Sequence, residues 1–288
     1  MGVENQKQKP QGPQLMPSIH FKCLQEKPLC FLNLNKKNWF GYHRFKNDDA
    51  YVEWHQHFGF LISADGKNIT CFTDQNSPQL SVYLYTQVYS FALIHQGVDS
   101  LHGSLLSKEG KTVALIGDCG RGKSTLASQL ISHGWQLLGD DLIVFDSNQN
   151  RSNGLWVFPG EPFLKIQPRV FNKFFPDYKQ NCVLNQFTRK KILAFPEVNQ
   201  QPVFLHRIFY LNKPQAQISL RALSKIESYW VLNENIFNVV DFSPQRKRNL
   251  FAWLTQINNQ ARVLELNYPR KFEFLDAVEN LITSELNL

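Results

Sequence analysis

Nine consecutive residues, Gly117, Asp118, Cys119, Gly120, Arg121, Gly122, Lys123, Ser124 and Thr125, gather three glycines, a lysine and two hydroxyls in one short stretch. Their spacing fits G-x-x-x-x-G-K-[ST]. Glycines let backbone N–H groups turn inward and come close to an anion, because no Cβ blocks the approach. Lys123 adds a point charge, and the Ser124 hydroxyl is of the kind that holds Mg²⁺ beside a phosphate chain. A helix starting at the lysine would point its positive end at the same anion. A group that needs so many donors at close range is a polyphosphate. The nine residues are therefore expected to bind a nucleoside triphosphate, with Mg²⁺ beside it.

Two further positions complete a possible reaction centre. Asp140 and Asp141 follow Lys123 by seventeen and eighteen residues. One helix and one strand span that interval and would return the chain to the sheet next to the loop. One acid can then hold Mg²⁺ and the other accept a proton from an incoming hydroxyl. On a strand, neighbours point to opposite faces and would divide the two jobs. Which acid takes which job stays open; the Ser124 hydroxyl is a further expected metal ligand. His102, fifteen residues before Gly117, sits on the strand that should pair with the strand of the loop. It can bind phosphate or steer an acid there. His55 and His57 would share a strand face, but they lack a third ligand and read as structural. Cys119 reads as a tolerated variable position of the loop.

The elements that must position these groups are legible around them. Thr112 to Ile116 is a short apolar, β-favouring run leading into the loop, and Lys123 to His133 reads as a helix with an apolar face at Leu126, Ala127, Leu130 and Ile131. Gly134 is its stop. Strands are expected at Leu101 to Leu106, Trp135 to Leu138, Leu142 to Phe145, Trp156 to Phe158 and Phe204 to Leu211. A hairpin is expected at Phe58 to Phe72 around Gly66, and helices at Ser81 to Gln96 and Phe272 to Glu285. Phe163 to Phe175, with Pro168 inside it, should break into a loop and a short helix. The sum is an α/β fold with the loop in its middle. A polar leader is expected over residues 1–17, disordered, then a small strand-rich region over 18–78, then an ATP-binding domain over 79–288.

Composition bounds the rest. The 288 residues carry a net charge of +7, with 43% hydrophobic and 19% charged residues, which is globular. No apolar run is long enough for a membrane span, and the leader lacks the apolar core of a signal peptide. Five cysteines, an odd number without a C-x-x-C pair, fit a reduced cytoplasmic protein. The basic clusters Arg189-Lys190-Lys191, Arg246-Lys247-Arg248 and Arg270-Lys271 read as solvated surface. No nucleic-acid motif is present, so no nucleic-acid partner is expected.

Leu101-His102-Gly103, the loop ending GKST, and His133-Gly134-Trp135-Gln136-Leu137-Leu138-Gly139-Asp140-Asp141 together resemble the C-terminal domain of HPr kinase/phosphorylase. They are closer still to its smaller bacterial relatives, with their "LH" strand and "G-W-x-L-L-x-D-D" segment. The likeness is strongest from Leu101 to Asp146. Residues 1–78 match no family. The resemblance implies a P-loop kinase core of phosphoenolpyruvate-carboxykinase type, a mixed sheet with flanking helices. It implies an ATP- and Mg²⁺-dependent serine kinase acting on a protein or peptide, and a homo-oligomer. Lys123 would bind the β/γ-phosphates, Asp140 and Asp141 would be base and metal or phosphate partner, and His102 would assist at the transferred group. The chain lacks the E-x-R-G string that follows the paired acids in the HPr enzyme, so neither phosphorolysis nor recognition of HPr is implied. Some relatives phosphorylate a ribosomal-peptide precursor, which makes a peptide acceptor an expectation. A non-catalytic ATP-binding regulator and a small-molecule kinase are the alternatives.

Overall fold

A computed structural model describes residues 19–24, 40–54, 58–72, 80–146, 154–178, 182–185, 188–238 and 244–288. The expected leader and the pair His55 and His57 lie outside these residues. The chain forms two compact units that divide between Val98 and Asp99.

The first unit is a five-stranded sheet in the order β1-β5-β4-β3-β2, from β1 (His20–Leu24), β2 (Phe40–Arg44), β3 (Ala50–Trp54), β4 (Phe58–Ile62) and β5 (Asn68–Phe72). The hairpin around Gly66 is present, with φ 68° at that glycine. A helical segment follows, α1 (Leu80–Tyr83), a π-helical stretch Leu84–Val88 and α2 (Tyr89–His95). It belongs with this sheet, because the Phe91 ring stacks on Phe40 and Tyr42 at 6.1 and 5.5 Å. The division between the units therefore falls after this helix.

The second unit carries the glycine loop. Its strands are β6 (Ser100–Lys108), β7 (Lys111–Ile116), β8 (Gln136–Gly139), β9 (Leu142–Phe145), β10 (Trp156–Phe158), β11 (Phe163–Ile166), β12 (Cys182–Leu184), β13 (Lys191–Ala194), β14 (Val203–Leu211), β15 (Ser219–Ala222) and β16 (Val263–Asn267). Its helices are α3 (Lys123–Ser132), α4 (Pro168–Phe174), α5 (Lys225–Glu234), α6 (Pro244–Gln260) and α7 (Leu275–Leu286). The large sheet is mixed and ordered β10-β9-β6-β7-β14-β16-β15, with β8 also on β6 and β10 also on the start of β14. β11, β13 and β12 form a separate small antiparallel sheet.

β7 explains the layering. Val113, Ala114, Leu115 and Ile116 are all fully buried, as expected of a strand covered on both faces. Val113 and Leu115 join a core with Leu126 and Leu130 of α3, Val170 and Phe171 of α4 and Val278 and Ile282 of α7. Ala114 and Ile116 point the other way, to Leu232 of α5 and Leu250, Leu254 and Ile257 of α6. The alternation is the period of two that a strand imposes.

The chain after α3 returns to the sheet on the far side of β6: β8 and β9 both pair with β6, which lies between them and β7. Two expectations need correction. The stretch read as loop before Pro168 is strand β11, and Pro168 opens α4 at its first turn, where a missing N–H costs nothing. The basic clusters are not all solvated. Arg246 is buried against Asp99, Nη2 to Oδ1 2.7 Å, and Arg270 lies 3.7 Å above the Tyr268 ring.

Candidate functional site

The loop is held open by glycines that no other residue replaces cheaply. β7 ends at Ile116 and α3 begins at Lys123, so strand, loop and helix follow in the order the motif requires. Gly117 has φ 146°, and a Cβ there would stand 2.6 Å from the Leu211 carbonyl oxygen of β14. Gly122 has φ 94°, and a Cβ there would meet Arg270 Cδ at 3.3 Å. Between them Asp118 accepts from Arg121 Nε and Nη2 at 3.2 and 2.8 Å, a clasp within the loop. Cys119 is exposed with a free thiol. Lys123 is buried, and its Nζ folds back to donate to the carbonyls of Gly117 and Asp118 at 2.5 and 3.2 Å. Burial lowers its pKa, while Asp140 and then Asp141 pull it back up. Ser124 and Thr125 lie in the first turn of α3, both partly buried.

The acids sit in the turn between β8 and β9, not on a strand. Asp141 adopts a left-handed φ of 70°, a conformation that costs a non-glycine residue energy and turns successive side chains apart. Asp140 is 5% exposed; its Oδ1 accepts from Ser104 Oγ at 2.6 Å, and its Oδ2 is buried without a hydrogen-bond partner. Burial, then repulsion from Asp141, pushes Asp140 up to about 6. Asp141 takes the opposite course. Burial alone would raise it, but Lys165, which makes a very short ion pair with its Oδ2, and then His102 hold it below the ordinary carboxylate value. Two adjacent carboxylates with opposite shifts are suited to different jobs.

His102 stands beside them. Its strand β6 pairs with β7 so that Gly103 faces Ile116, which sets His102 level with the start of the loop. Its Nε2 is 3.8 Å from Asp141 Oδ1. Its backbone N–H donates to the Asn235 carbonyl at 2.7 Å, and its ring meets Phe237 edge-on at 5.4 Å. Burial, then Lys123, lowers it to about 4, so the imidazole is neutral at pH 7.

The structure thus brings Lys123, Asp140, Asp141 and His102 into one electrostatic neighbourhood. It adds residues that sequence reasoning missed. Ser104 lies two positions from His102 on β6 and so shares its strand face, a signal that was readable. Lys165 is a charge between the buried residues Leu164 and Ile166 of β11, a pattern that marks a lysine with a partner. Lys190, from a cluster read as surface, acts electrostatically on both His102 and Asp141. Next to Gly122, the Tyr268 hydroxyl and Arg270 Nε are buried without hydrogen-bond partners.

The residues fit a magnesium ion better than a structural metal. Among the described residues no group of three or more His, Cys, Asp or Glu could hold a metal on its own. Magnesium needs less from the protein, one or two carboxylates with the phosphates themselves, and the buried, unpartnered Oδ2 of Asp140 is a carboxylate oxygen of the right chemistry for it. No described helix is long and apolar enough to cross a membrane.

No family model matches this chain, and no curated protein does. Among solved structures it is similar to the HPr(Ser) kinase/phosphatase from Coxiella burnetii, with 16% identity over 65% of this chain and 95% of that one. The TM-score of that likeness is 0.33, below what a shared fold requires.

Proposed function

We propose that the second unit binds ATP with Mg²⁺ at the glycine loop and transfers the γ-phosphoryl group to a serine hydroxyl of a protein or peptide. The observation that carries this reading is the pair of acids in the β8–β9 turn within electrostatic reach of buried Lys123, Asp140 held by Ser104 and Asp141 paired with Lys165. A protein that only sensed nucleotide would have no use for two buried carboxylates of opposite disposition beside the lysine of the loop.

The loop's backbone N–H groups and the start of α3 receive the phosphates. Lys123 exchanges its two carbonyl partners for phosphate oxygens, which carry more charge. Ser124 and Asp140 are the residues that would hold Mg²⁺, because Asp141 is engaged by Lys165 and His102. That ion, when bound, would neutralise charge on the phosphate chain. Asp141, ionised at neutral pH and 18% exposed, takes the proton of the acceptor hydroxyl. The bond from the γ-phosphorus to its bridging oxygen breaks, a new bond to the serine oxygen forms, and ADP leaves. Neutral His102 lies where it can orient Asp141. Little covalent help is needed, so positioning and charge supply most of the rate.

Incubation with γ-labelled ATP and a panel of serine-containing peptides tests the reading. Label should pass to peptide, and Lys123→Ala should lower transfer by at least about 100-fold. Label on a metabolite instead would make it a small-molecule kinase. ATP binding by calorimetry with transfer to nothing would make it a regulator.

A further inference from the structure

On α5 and α6, large side chains that the core does not use stand in solvent. Trp230 is 59% exposed, Phe251 62% and Ile226 73%. Tyr229 joins the two aromatics, its ring 6.1 Å from Trp230 and 5.8 Å from Phe251. Beside them Tyr229, Asn233, Lys247, Leu250, Phe251 and Leu254 line a groove of about 330 Å³. A single exposed leucine needs no explanation, but tryptophan and phenylalanine clustered over a groove are the usual anchors of a binding surface.

Charge decides the occupant. α6 contains no Asp or Glu; its exposed Lys247 lines the groove, exposed Arg248 follows it on the helix and donates to Gln245 at 2.7 Å, and Arg246 turns inward to Asp99. On α5, Glu227 is held by Arg221 Nη1 and the Ser224 N–H, both at 2.8 Å, in the cap of the helix. Glu234 stands at the far end, in the last turn.

That far end leads to the reaction centre. Asn235, next after α5, accepts the His102 N–H, and Phe237 donates to the Ser100 carbonyl at 2.8 Å. From Trp230 to Asn235 a helix rises roughly 7.5 Å, a distance that about two to three extended residues cover.

We infer that the aromatic, basic face of α5 and α6 docks an acidic segment with apolar side chains, and that this segment belongs to the phosphate acceptor, a few residues from its serine. The link from this docking face to the acceptor serine rests on the kinase reading. Docking itself needs neither nucleotide nor catalysis.

The test uses the full chain and a short fluorescein-labelled peptide that alternates Glu with Leu and Phe and carries one serine. A control peptide has Lys in place of every Glu. Fluorescence anisotropy should show binding of the acidic peptide that weakens with salt, and none of the control. Trp230→Ala with Phe251→Ala, and separately Lys247→Glu with Arg248→Glu, should each weaken binding by at least about tenfold. Both pairs are exposed, and unchanged thermal melts will show that they fold. Lys123→Ala should bind the peptide as the parent does. Equal affinity for both peptides, no binding of either, or indifference to both double variants overturns the inference. So does a dimer in light scattering that the aromatic double variant dissociates, since a second copy would then own the face. Docking without transfer in the parent would leave the docking face standing, but would remove its link to an acceptor serine and count against the kinase reading.

Discussion

The glycine loop and the acid cluster beside it are built in opposite ways. The loop is one contiguous segment, 117–125, whose shape is fixed by local backbone geometry and by the close approach of Leu211. The cluster draws Ser104 and His102 from β6, the two acids from the β8–β9 turn, Lys165 from β11 and Lys190 from before β13. The loop's strength is steric and tolerates little change. The cluster's strength is a balance of burial against charge, and each substitution should move that balance in a calculable direction.

The steric half breaks first. A methyl at Gly117 would collide with backbone, not with a side chain that can swing away, and would impose a φ that alanine rarely adopts. Gly117→Ala is expected to abolish nucleotide binding in calorimetry, with a lower melting temperature. Binding within threefold of the parent would show that the loop is softer than its geometry implies, and that estimate of softness is only about 0.7 kcal/mol.

The electrostatic half should shift before it breaks. If Asp140 takes the cation as proposed, it must be ionised, so kcat/KM should rise as pH climbs through about 6. Asp141→Asn removes the repulsion that raises Asp140 and should move this limb to lower pH, besides slowing transfer by about 100-fold or more through loss of the base. Lys165→Met removes an attraction that lowers both acids and should move the limb to higher pH; Lys165→Arg should restore it. More Mg²⁺ should also move the limb down if the ion competes with the proton at Asp140. A limb that ignores Mg²⁺ but disappears in Asp140→Asn would make Asp140 the base and return the metal to Asp141.

This contrast also explains what could be read from the chain alone. The loop, β7, α3 and the Asp pair were legible because each is a local pattern: a motif, an apolar run, a 3.6-residue face. The position of β8 on β6 was not, because strand order is a tertiary fact that no local period encodes. Lys165 and Lys190 were missed for the same reason, since a lysine's partner lies far along the chain. α6 was missed although Leu250, Leu254 and Ile257 carry a helical spacing, because its many polar residues dilute the stripe.

The smallest effect is one that the intact protein should hide. His102, lowered to about 4, is neutral in the folded chain where the unfolded chain would be protonated, so between about 4 and 6.5 the unfolded state binds more protons and stability rises with pH. Asp140, raised to about 6, is protonated in the folded chain where the unfolded one has ionised, so between 3.8 and about 6 stability falls with pH. The two slopes have opposite signs over most of the same interval and should largely cancel. One whole proton is worth at most about 1.4 kcal/mol per pH unit, and His102 contributes less than that because a third of its side chain meets solvent. Urea melts at several pH values between 4 and 6 should be nearly flat for the parent. Removing either partner uncovers the other: His102→Gln should lose stability as pH rises, and Asp140→Asn should gain it. If both variants stayed flat, neither group would be shifted in the folded protein, and the buried cluster would be wetter than its geometry requires.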